Sequence, residues 1–133
     1  MDRSRHRSGE EITEGTVYRR IPNWRGYFDP RTGRPLRKTF EPRPQDEGAL
    51  STDLARSEAE RKLEKHPGFG LCALDIEQMR TQTGGKARVV RTLPERSHVR
   101  ILGCDGEDVQ EQLADLAQVL TPPKGENVAG RAR

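Results

Sequence analysis

Short runs of apolar and β-branched residues, separated by turn-forming or charged segments, constrain the fold of this chain more than any other feature. The runs are TVYRRI at 16–21, LRKTF at 36–40, GLCAL at 70–74, ARVVRTL at 87–93 and HVRIL at 98–102. Each has the length of a strand, and none approaches the ~20 apolar residues that a membrane helix requires. Turn-forming Asp-Pro and Thr-Gly pairs precede the second run, and a hairpin-length loop separates the last two. The runs therefore predict a β-sheet.

The strongest helix signal lies near the C-terminus, at residues 109–120. Asp108 and Glu111 have the spacing of a capping box, and a Thr-Pro-Pro sequence ends the segment. Its apolar residues repeat at helical spacing and form one stripe: Val109, Leu113, Leu116, Ala117 and Leu120. We therefore expect an amphipathic helix here.

Two shorter helices are predicted in the middle of the chain. Ser51 can cap the first, although Ser57 and Glu60 form a second capping box, so that this helix begins either after Ser51 or six residues later. Asp75 is placed to cap the second helix, at 76–82, and a Gly-Gly pair ends it.

The order of these strands and helices predicts an α+β fold with a small antiparallel or mixed sheet and two or three helices on one face. The face that carries Val99 and Ile101 should be the one that the helices cover. The chain has 133 residues, enough for one domain, which we place at 15–121. The ends, 1–14 and 122–133, contain few apolar residues, so we expect them to be disordered tails.

Composition limits the size of the core and suggests where the protein works. Hydrophobic residues make up 31% and charged residues 34%, against about 45–50% and about 25% in ordinary globular domains. Burial against a partner protein commonly compensates for such a thin core. The N-terminus lacks the apolar stretch of a signal peptide, and Cys72 and Cys104 are expected to be free thiols. These features predict a cytoplasmic protein with no membrane segment.

Positive charge and aromatic residues are concentrated in the first third of the chain. Residues 1–45 contain eleven Lys and Arg against six Asp and Glu. The same segment holds five of the six aromatic residues: Tyr18, Trp24, Tyr27, Phe28 and Phe40. Interleaved cations and rings are typical of nucleic-acid binding, with Arg19, Arg20 and Arg25 as the candidate phosphate ligands. In the simpler alternative, the rings are core material and the arginines form a solvated face.

The stretch FEPRPQDEGALSTDLA, at 40–55, raises the question of whether it is a linker or an ordered loop. We expect an ordered loop that docks on the sheet, with Phe40 as its anchor. Pro42 and Pro44 fix their φ angles in advance and so reduce the entropy that ordering costs. Together with Trp24, these three residues are the candidate docking positions for a protein partner.

Signatures of most enzyme classes are missing from the sequence. The two cysteines are far apart, and His6, His66 and His98 are scattered, so no metal-ligand spacing exists. The sequence contains neither a phosphate-binding glycine loop nor a nucleophile elbow. We therefore predict no metal and no cofactor, and we favour a protein that is not an enzyme.

One loose group of residues nevertheless has catalytic potential. Asp46, Ser51 and His98 supply a carboxylate, a hydroxyl and an imidazole, which could meet beside Arg19 or Arg100 if the loop folds over the open face of the sheet. Such a group could perform acid–base chemistry or hold a phosphate. More simply, Ser51 is a helix cap, Asp46 a turn residue, and His98 a strand-edge residue bonded to a carbonyl.

The segments FEPRPQDEGALSTDLA, GFGLCALDIEQMR and HVRILG resemble a set of small uncharacterised bacterial proteins. Those proteins carry a Phe-x-Pro-x-x-x-Asp-x-x-Gly-Leu-Ser element, a Gly-Val-x-x-Leu strand with an Ile-Arg helix, and a late His-Ala-x-Ile strand. The resemblance covers residues 17–103 and matches at Phe40, Pro42, Asp46, Ser51, Ile76 or Met79 with Arg80, and His98. This chain differs in having Ala49-Leu50 for Gly-Leu and Val99-Arg100 for small apolar residues. The resemblance implies no function, but it groups Asp46, Ser51 and His98.

Two hypotheses of function follow. The first is a non-enzymatic interaction subunit of a bacterial cytoplasmic complex, which docks through the Pro-rich loop or the C-terminal amphipathic helix and contacts nucleic acid through the basic first third. The alternative is a small enzyme or toxin domain that acts on nucleotides or RNA through Asp46, Ser51 and His98. The thin core and the missing catalytic signatures favour the first.

Overall fold

A computed structural model of the protein describes residues 10–92 and 97–125. Two 3-10 helices, Arg37–Phe40 and Pro44–Asp46, lie between the fourth and fifth strands. The other elements, in chain order, are β1 (Glu11–Ile12), β2 (Thr16–Ile21), β3 (Phe28–Asp29), β4 (Arg34–Pro35), β5 (Leu50–Asp53), α1 (Arg56–Leu63), β6 (Gly70–Asp75), α2 (Ile76–Gln82), β7 (Arg88–Arg91), β8 (His98–Leu102), α3 (Glu107–Leu116) and β9 (Gln118–Thr121).

Seven of the strands form one sheet in the order β1-β7-β8-β5-β2-β6-β9, and every neighbouring pair is antiparallel. The strands β3 and β4 pair separately as a short hairpin. The predicted α+β class is therefore confirmed. Among the described residues, no helix has the length and apolar content needed to cross a membrane.

One face of the sheet, which we call the covered face, carries the core. Alternate residues of the strands point into it, and Val99 and Ile101 are fully buried there, as predicted. The helices α2 and α3 and the first 3-10 helix contribute Met79, Leu113 and Phe40 to the same cluster. Burial of each large side chain contributes about 1.5–3 kcal/mol relative to exposure. Hydrophobic packing against these helices thus holds the sheet together.

The other face, which we call the open face, carries mostly polar residues. Tyr18 pairs with Asp53 across β2 and β5, so both side chains point to this face. On the same side lies α1, because Lys62 Nζ donates a hydrogen bond to Asp53 at 2.9 Å. The prediction that all helices lie on one face is therefore not confirmed.

The segment around Ser51 differs from the helix start that its sequence suggested. Ser51 lies in β5, where it pairs with Arg100 of β8. The first residue of α1 is Arg56, near the later of the two predicted starts, and its N-cap residue Ala55 makes no side-chain cap bond. Pairing along four residues of β8, together with burial of Leu50 and Thr52, outweighs a local capping preference.

The C-terminal helix is shorter than predicted. It ends at Leu116, and the residues after it form β9, which pairs with β6 and brings Val119 against the core. This strand gives β6 a second hydrogen-bonded neighbour, so that β6 is no longer the edge of the sheet. Asp108 is not the N-cap: Gly106 is, and Asp108 pairs with Lys86 at 3.3 Å instead.

The prediction of a strand at LRKTF is also wrong, because its last four residues form the first 3-10 helix. The turn before it does lie between two short paired strands, β3 and β4, but the second of them is Arg34–Pro35 rather than the predicted LRKTF. Other local predictions hold: β2 spans the whole TVYRRI run, and Asp75 caps α2 by accepting a hydrogen bond from Gln78 N at 2.9 Å.

The folded domain extends beyond the predicted limits of 15–121. At the N-terminal side, β1 pairs with β7 inside the segment expected to be a tail. At the other end Pro123 is buried, and Lys124 N donates a hydrogen bond to Gly68 O at 2.8 Å. The remaining parts of the predicted tails, and most of the loop between β7 and β8, lie outside the described residues.

Candidate functional site

A cleft opens where the two halves of the sheet meet. The strand β2 pairs with β6 along all six of its residues, and β5 pairs with β8 along all four. By contrast, β2 and β5 share a single residue pair, Tyr18 with Asp53. The cavity beside this pair, which we call the β2–β5 cleft, has a volume of about 310 Å³. Its lining includes Arg20, Ser51, Asp53, Lys62, Phe69 and His98.

Arg19 braces the place where β2 and β5 separate. Its side chain lies on the covered face, where Nε donates to Thr39 O at 2.8 Å and Nη1 donates to Ser51 O at 2.9 Å. Burial lowers the pKa of this guanidinium below its ordinary value. Although Arg19 also borders the cleft, backbone carbonyls of two different segments accept its N–H groups, so its guanidinium is less available to a phosphate than predicted.

Arg20 has the opposite environment. Alternation along β2 directs its side chain to the open face, where it is half-buried and lines the cleft. Within residues 10–92 and 97–125, no hydrogen bond or ion pair engages its guanidinium. Its planar set of donors is therefore available to a ligand, and phosphate groups match that geometry.

The other charges around the cleft are largely balanced inside the protein. Asp53 is 6% exposed, and its Oδ1 accepts hydrogen bonds from Lys62 Nζ at 2.9 Å and from Ser97 Oγ at 3.2 Å. Lys62 thereby offsets the negative charge of Asp53. Arg100 donates from Nη2 to the carbonyl oxygen of Asp46 at 3.2 Å, and the neighbouring carboxylate, that of Asp46, is already paired with Arg43. Arg20 and Arg100 together give the open face a surplus of positive charge.

Two members of the predicted catalytic group share the cleft. Ser51 and His98 both line it, and they occupy diagonal positions on paired strands, since Ser51 is opposite Arg100 and His98 is opposite Asp53. Such diagonal positions are roughly 7–8 Å apart. A nucleophile and its base approach to about 3 Å. The strand register thus separates the two residues more than a catalytic pair requires.

The third member of that group, Asp46, lies in a neighbouring cavity of about 270 Å³ that shares Arg20 and Ser51 with the cleft. Its carboxylate accepts a hydrogen bond from Arg43 Nε at 2.9 Å. This hydrogen bond holds the pKa of Asp46 below its ordinary value. Asp46 is therefore already engaged in an ion pair with Arg43.

Aromatic side chains extend the cleft at one end. Trp24 is 51% exposed and contacts Tyr27 and Phe69 edge-on, at ring-centroid distances of 5.6 and 5.5 Å. Phe69 lines the cleft and stacks on His66 at 4.9 Å. We call these four residues the aromatic ledge. Sequence reasoning identified Trp24 but not Phe69 or His66 as part of a surface. The one available signal was that Phe69 alone among the aromatic residues lies outside the basic first third.

The remaining predicted docking residues have different surroundings. Phe40 is fully buried in the core, as its anchoring role requires, so no partner can reach it. Pro42 is half-buried and Pro44 exposed, and both border a cavity with Arg43. Arg25 is exposed next to Trp24, with no ion pair to the described part of the chain.

The two cysteines are free and buried, and neither has the properties of a reactive thiol. Burial raises the pKa of Cys72 and of Cys104 to about 12. A thiol that stays protonated is a poor nucleophile and a poor metal ligand. In the part of the chain that the structure describes, no cluster of three or more His, Cys, Asp or Glu side chains could hold a metal ion.

The chain matches no protein-family model, no curated protein and no solved structure. The resemblance to small bacterial proteins therefore stays a prediction. The geometry and charge of the cleft and of the aromatic ledge are the basis for assigning a function.

Proposed function

We propose that this protein is a non-catalytic binding module that holds a phosphate-bearing ligand in the β2–β5 cleft. The observation that carries the proposal is Arg20, whose half-buried guanidinium faces the cleft and makes no hydrogen bond or ion pair within the described chain. A charged donor group that has lost part of its contact with water is stabilised when an anion binds beside it. Arg20 is accordingly the anchor for the ligand.

The surroundings of Arg20 support an anionic ligand. Arg100 adds a second positive charge on the same face, and the hydroxyl of Ser51 is exposed beside it. The charge of Asp53 is offset by Lys62, so it does not repel an anion strongly. A volume of about 310 Å³ lies at the lower end of the range for small-ligand sites. These properties fit one or two phosphate groups with part of the molecule that carries them.

Docking of a protein partner through the predicted surfaces has less support. Phe40 and the apolar stripe of α3 are used inside the molecule, since Val109 and Leu113 are buried in the core. A role as a subunit of a bacterial cytoplasmic complex would then depend on the ligand in the cleft and on the exposed Trp24.

The enzyme hypothesis remains the second candidate because Ser51 and His98 line the same cleft. A small hydrolase acting on nucleotides or RNA would lose its activity in both Ser51→Ala and His98→Ala. A binding module would show no turnover of nucleotides or RNA before either change, while its affinity for phosphate would still depend on Arg20.

The test is calorimetric titration of the full chain with inorganic polyphosphate at low and at moderate salt. We expect Arg20→Gln to weaken binding by a factor of about ten to a hundred, because a charge-assisted hydrogen bond contributes about 1.5–3 kcal/mol, and to reduce the salt slope by about one. The matched control is Arg88→Gln, an equal change of charge on an exposed residue of β7. Absence of binding at low salt, or equal weakening by both variants, would contradict the proposal.

A further inference from the structure

We infer that the ligand is a single-stranded nucleic acid, with its backbone over Arg20 and one base stacked on Trp24. This inference rests on the proposed function and adds the class of ligand. It combines two neighbouring features: a cleft with a surplus of positive charge and an aromatic ledge at its end. Neither feature alone would distinguish a nucleic acid from another polyanion.

The ledge is continuous with the cleft through Phe69. This residue lines the cleft, and its ring centroid is 5.5 Å from that of Trp24. Trp24 retains 51% of its accessible surface, although Tyr27 and Phe69 both hold it edge-on. A large ring that is fixed in place yet half exposed is an adequate surface for stacking a base.

Hydrogen bonds hold the segment that carries Trp24. Asn23 Nδ2 donates to the carbonyl oxygen of Lys124 at 3.1 Å and to that of Pro67 at 3.5 Å. On the other side, Tyr27 N donates to Trp24 O at 3.3 Å. The segment is therefore ordered before any ligand arrives, and binding does not have to meet that entropic cost.

Positive side chains accompany the ledge. Arg25 follows Trp24 directly in sequence and is exposed, and Lys38 Nζ lies 5.3 Å from the centroid of the Tyr27 ring. On the His66 side, Glu60 and Glu64 border a different cavity together with Lys124, and Arg56 pairs with Glu60 at 3.0 Å. The charges on that side are therefore close to balanced, whereas the Trp24 side carries the positive charges of Arg25 and Lys38, which favour the exit of a polyanion from the cleft there.

Single strands fit this surface better than duplexes do. In a duplex the base faces are already stacked on their neighbours, whereas a single strand can place an unstacked base on an aromatic ring. Stacking depends little on the identity of the base, since every base has a π-face. We therefore expect binding with little sequence preference.

The first experiment uses Trp24, the only tryptophan in the chain, as a fluorescent reporter in the unmodified protein. We expect a single-stranded RNA of about ten nucleotides to quench Trp24 emission. An abasic strand of equal length and inorganic polyphosphate should bind without the same quenching. This measurement needs no variant, so it remains decisive even if a substitution damages the fold.

The second experiment measures the affinity for a labelled strand by fluorescence anisotropy. We expect Trp24→Leu to weaken binding of the RNA about tenfold and to leave binding of the abasic strand unchanged. Leu36→Ala is the matched control, because Leu36 is another exposed apolar side chain, 38% accessible, outside the ledge. That variant should bind both strands as the unmodified protein does.

The outcomes separate the two claims. If the RNA binds no tighter than the abasic strand and leaves Trp24 emission unchanged, while Arg20→Gln still weakens both, this inference is overturned and the proposed function stands. If the RNA quenches Trp24 but Arg20→Gln has no effect, stacking is supported and the role of the cleft is overturned. If neither polyanion binds, both are overturned.

Discussion

Arg19 and Arg20 are neighbours in β2 and have the same side chain, yet Arg19 stabilises the fold and Arg20 is available for binding. Arg19 points to the covered face, where Thr39 O and Ser51 O accept its hydrogen bonds. Arg20 points to the open face and lines the cleft without a partner among the described residues. The period of two along a strand is enough to turn one arginine into a brace and the other into a binding group.

The same contrast applies to the two faces as wholes. On the covered face, α2 and α3 contribute to the apolar core, and the guanidinium of Arg19 is buried with backbone carbonyls as its hydrogen-bond acceptors. On the open face α1 covers only part of the sheet, and Arg20, Lys62 and Arg100 keep contact with solvent, whereas Asp53 is buried. We therefore expect substitutions on the covered face to change stability, and those on the open face to change binding.

The largest expected effect is the difference in stability between variants of two aromatic residues, Phe40 in the core of the covered face and Trp24 in the exposed aromatic ledge. Phe40→Ala should lower the free energy of unfolding by ~3–5 kcal/mol, because it leaves a cavity in the core. Trp24→Ala should cost less, about 1–2 kcal/mol, since half of that ring is already exposed and the change removes two edge-on aromatic contacts. Urea denaturation of both variants measures the difference. Equal costs would mean that the segment carrying Phe40 is not the anchor of its loop.

The next effect concerns the arginine pair itself. Arg19→Met keeps most of the packing of the stem but leaves two carbonyl acceptors without their donor, which should cost about 2–3 kcal/mol. Arg20→Met should change stability by less than ~0.5 kcal/mol and should weaken polyphosphate binding. The comparison fails if the two variants are equally stable, or if Arg19→Met alone abolishes binding without affecting the urea midpoint.

Local sequence signals were sufficient where neighbouring residues alone decide the structure. The run from Thr16 to Ile21 is bounded by Pro22, and it forms a strand over its whole length. Asp75 caps α2 through a residue three positions away. In each case the competing conformations differ in interactions within a few residues, so pattern and propensity predict the outcome.

Signals failed where a distant part of the chain decides the structure. Ser51 resembles a helix cap, but pairing with Arg100, far along the sequence, makes it a strand residue. The last residues of the predicted C-terminal helix likewise pair with β6 and become β9. Tertiary pairing outweighs local preference in both places.

The site was predictable only in part, for the same reason. Arg20 was identified, and alternation along TVYRRI places it on the face opposite Arg19, but the sequence alone does not show which of the two arginines faces a cleft. That distinction depends on β2 and β5 diverging after the pair of Tyr18 with Asp53. Phe69 approaches Trp24 only because the turn before β6 folds beside the turn after β2. Such contacts depend on the order of the strands in the sheet, and no pattern in the neighbouring sequence predicts them.

The smallest expected effect is that of removing an ion pair at the open face, where we expect such pairs to contribute little to stability. Arg43 lowers the pKa of Asp46 by its hydrogen bond, and the side chains are 69% and 28% exposed, so solvent screens most of the attraction. A lowered pKa in the folded state means that the contribution is present above the unfolded value of about 3.9 and disappears as the pH falls through the folded value. Asp46→Asn should therefore be slightly less stable than the unmodified protein at neutral pH and equally stable in acid.

The matched control for this measurement is Glu47→Gln, which removes a neighbouring carboxylate that makes no ion pair within the described chain and should show no such pH dependence. Urea midpoints of the three proteins across the acid range provide the comparison. If the deficit of Asp46→Asn persists unchanged below the folded pKa, the loss comes from the backbone around the Pro44–Asp46 turn rather than from the charge. If the deficit is as large as that of Arg19→Met, ion pairs at the open face do stabilise the fold. The expectation that substitutions on the covered face change stability and those on the open face change binding would then be wrong.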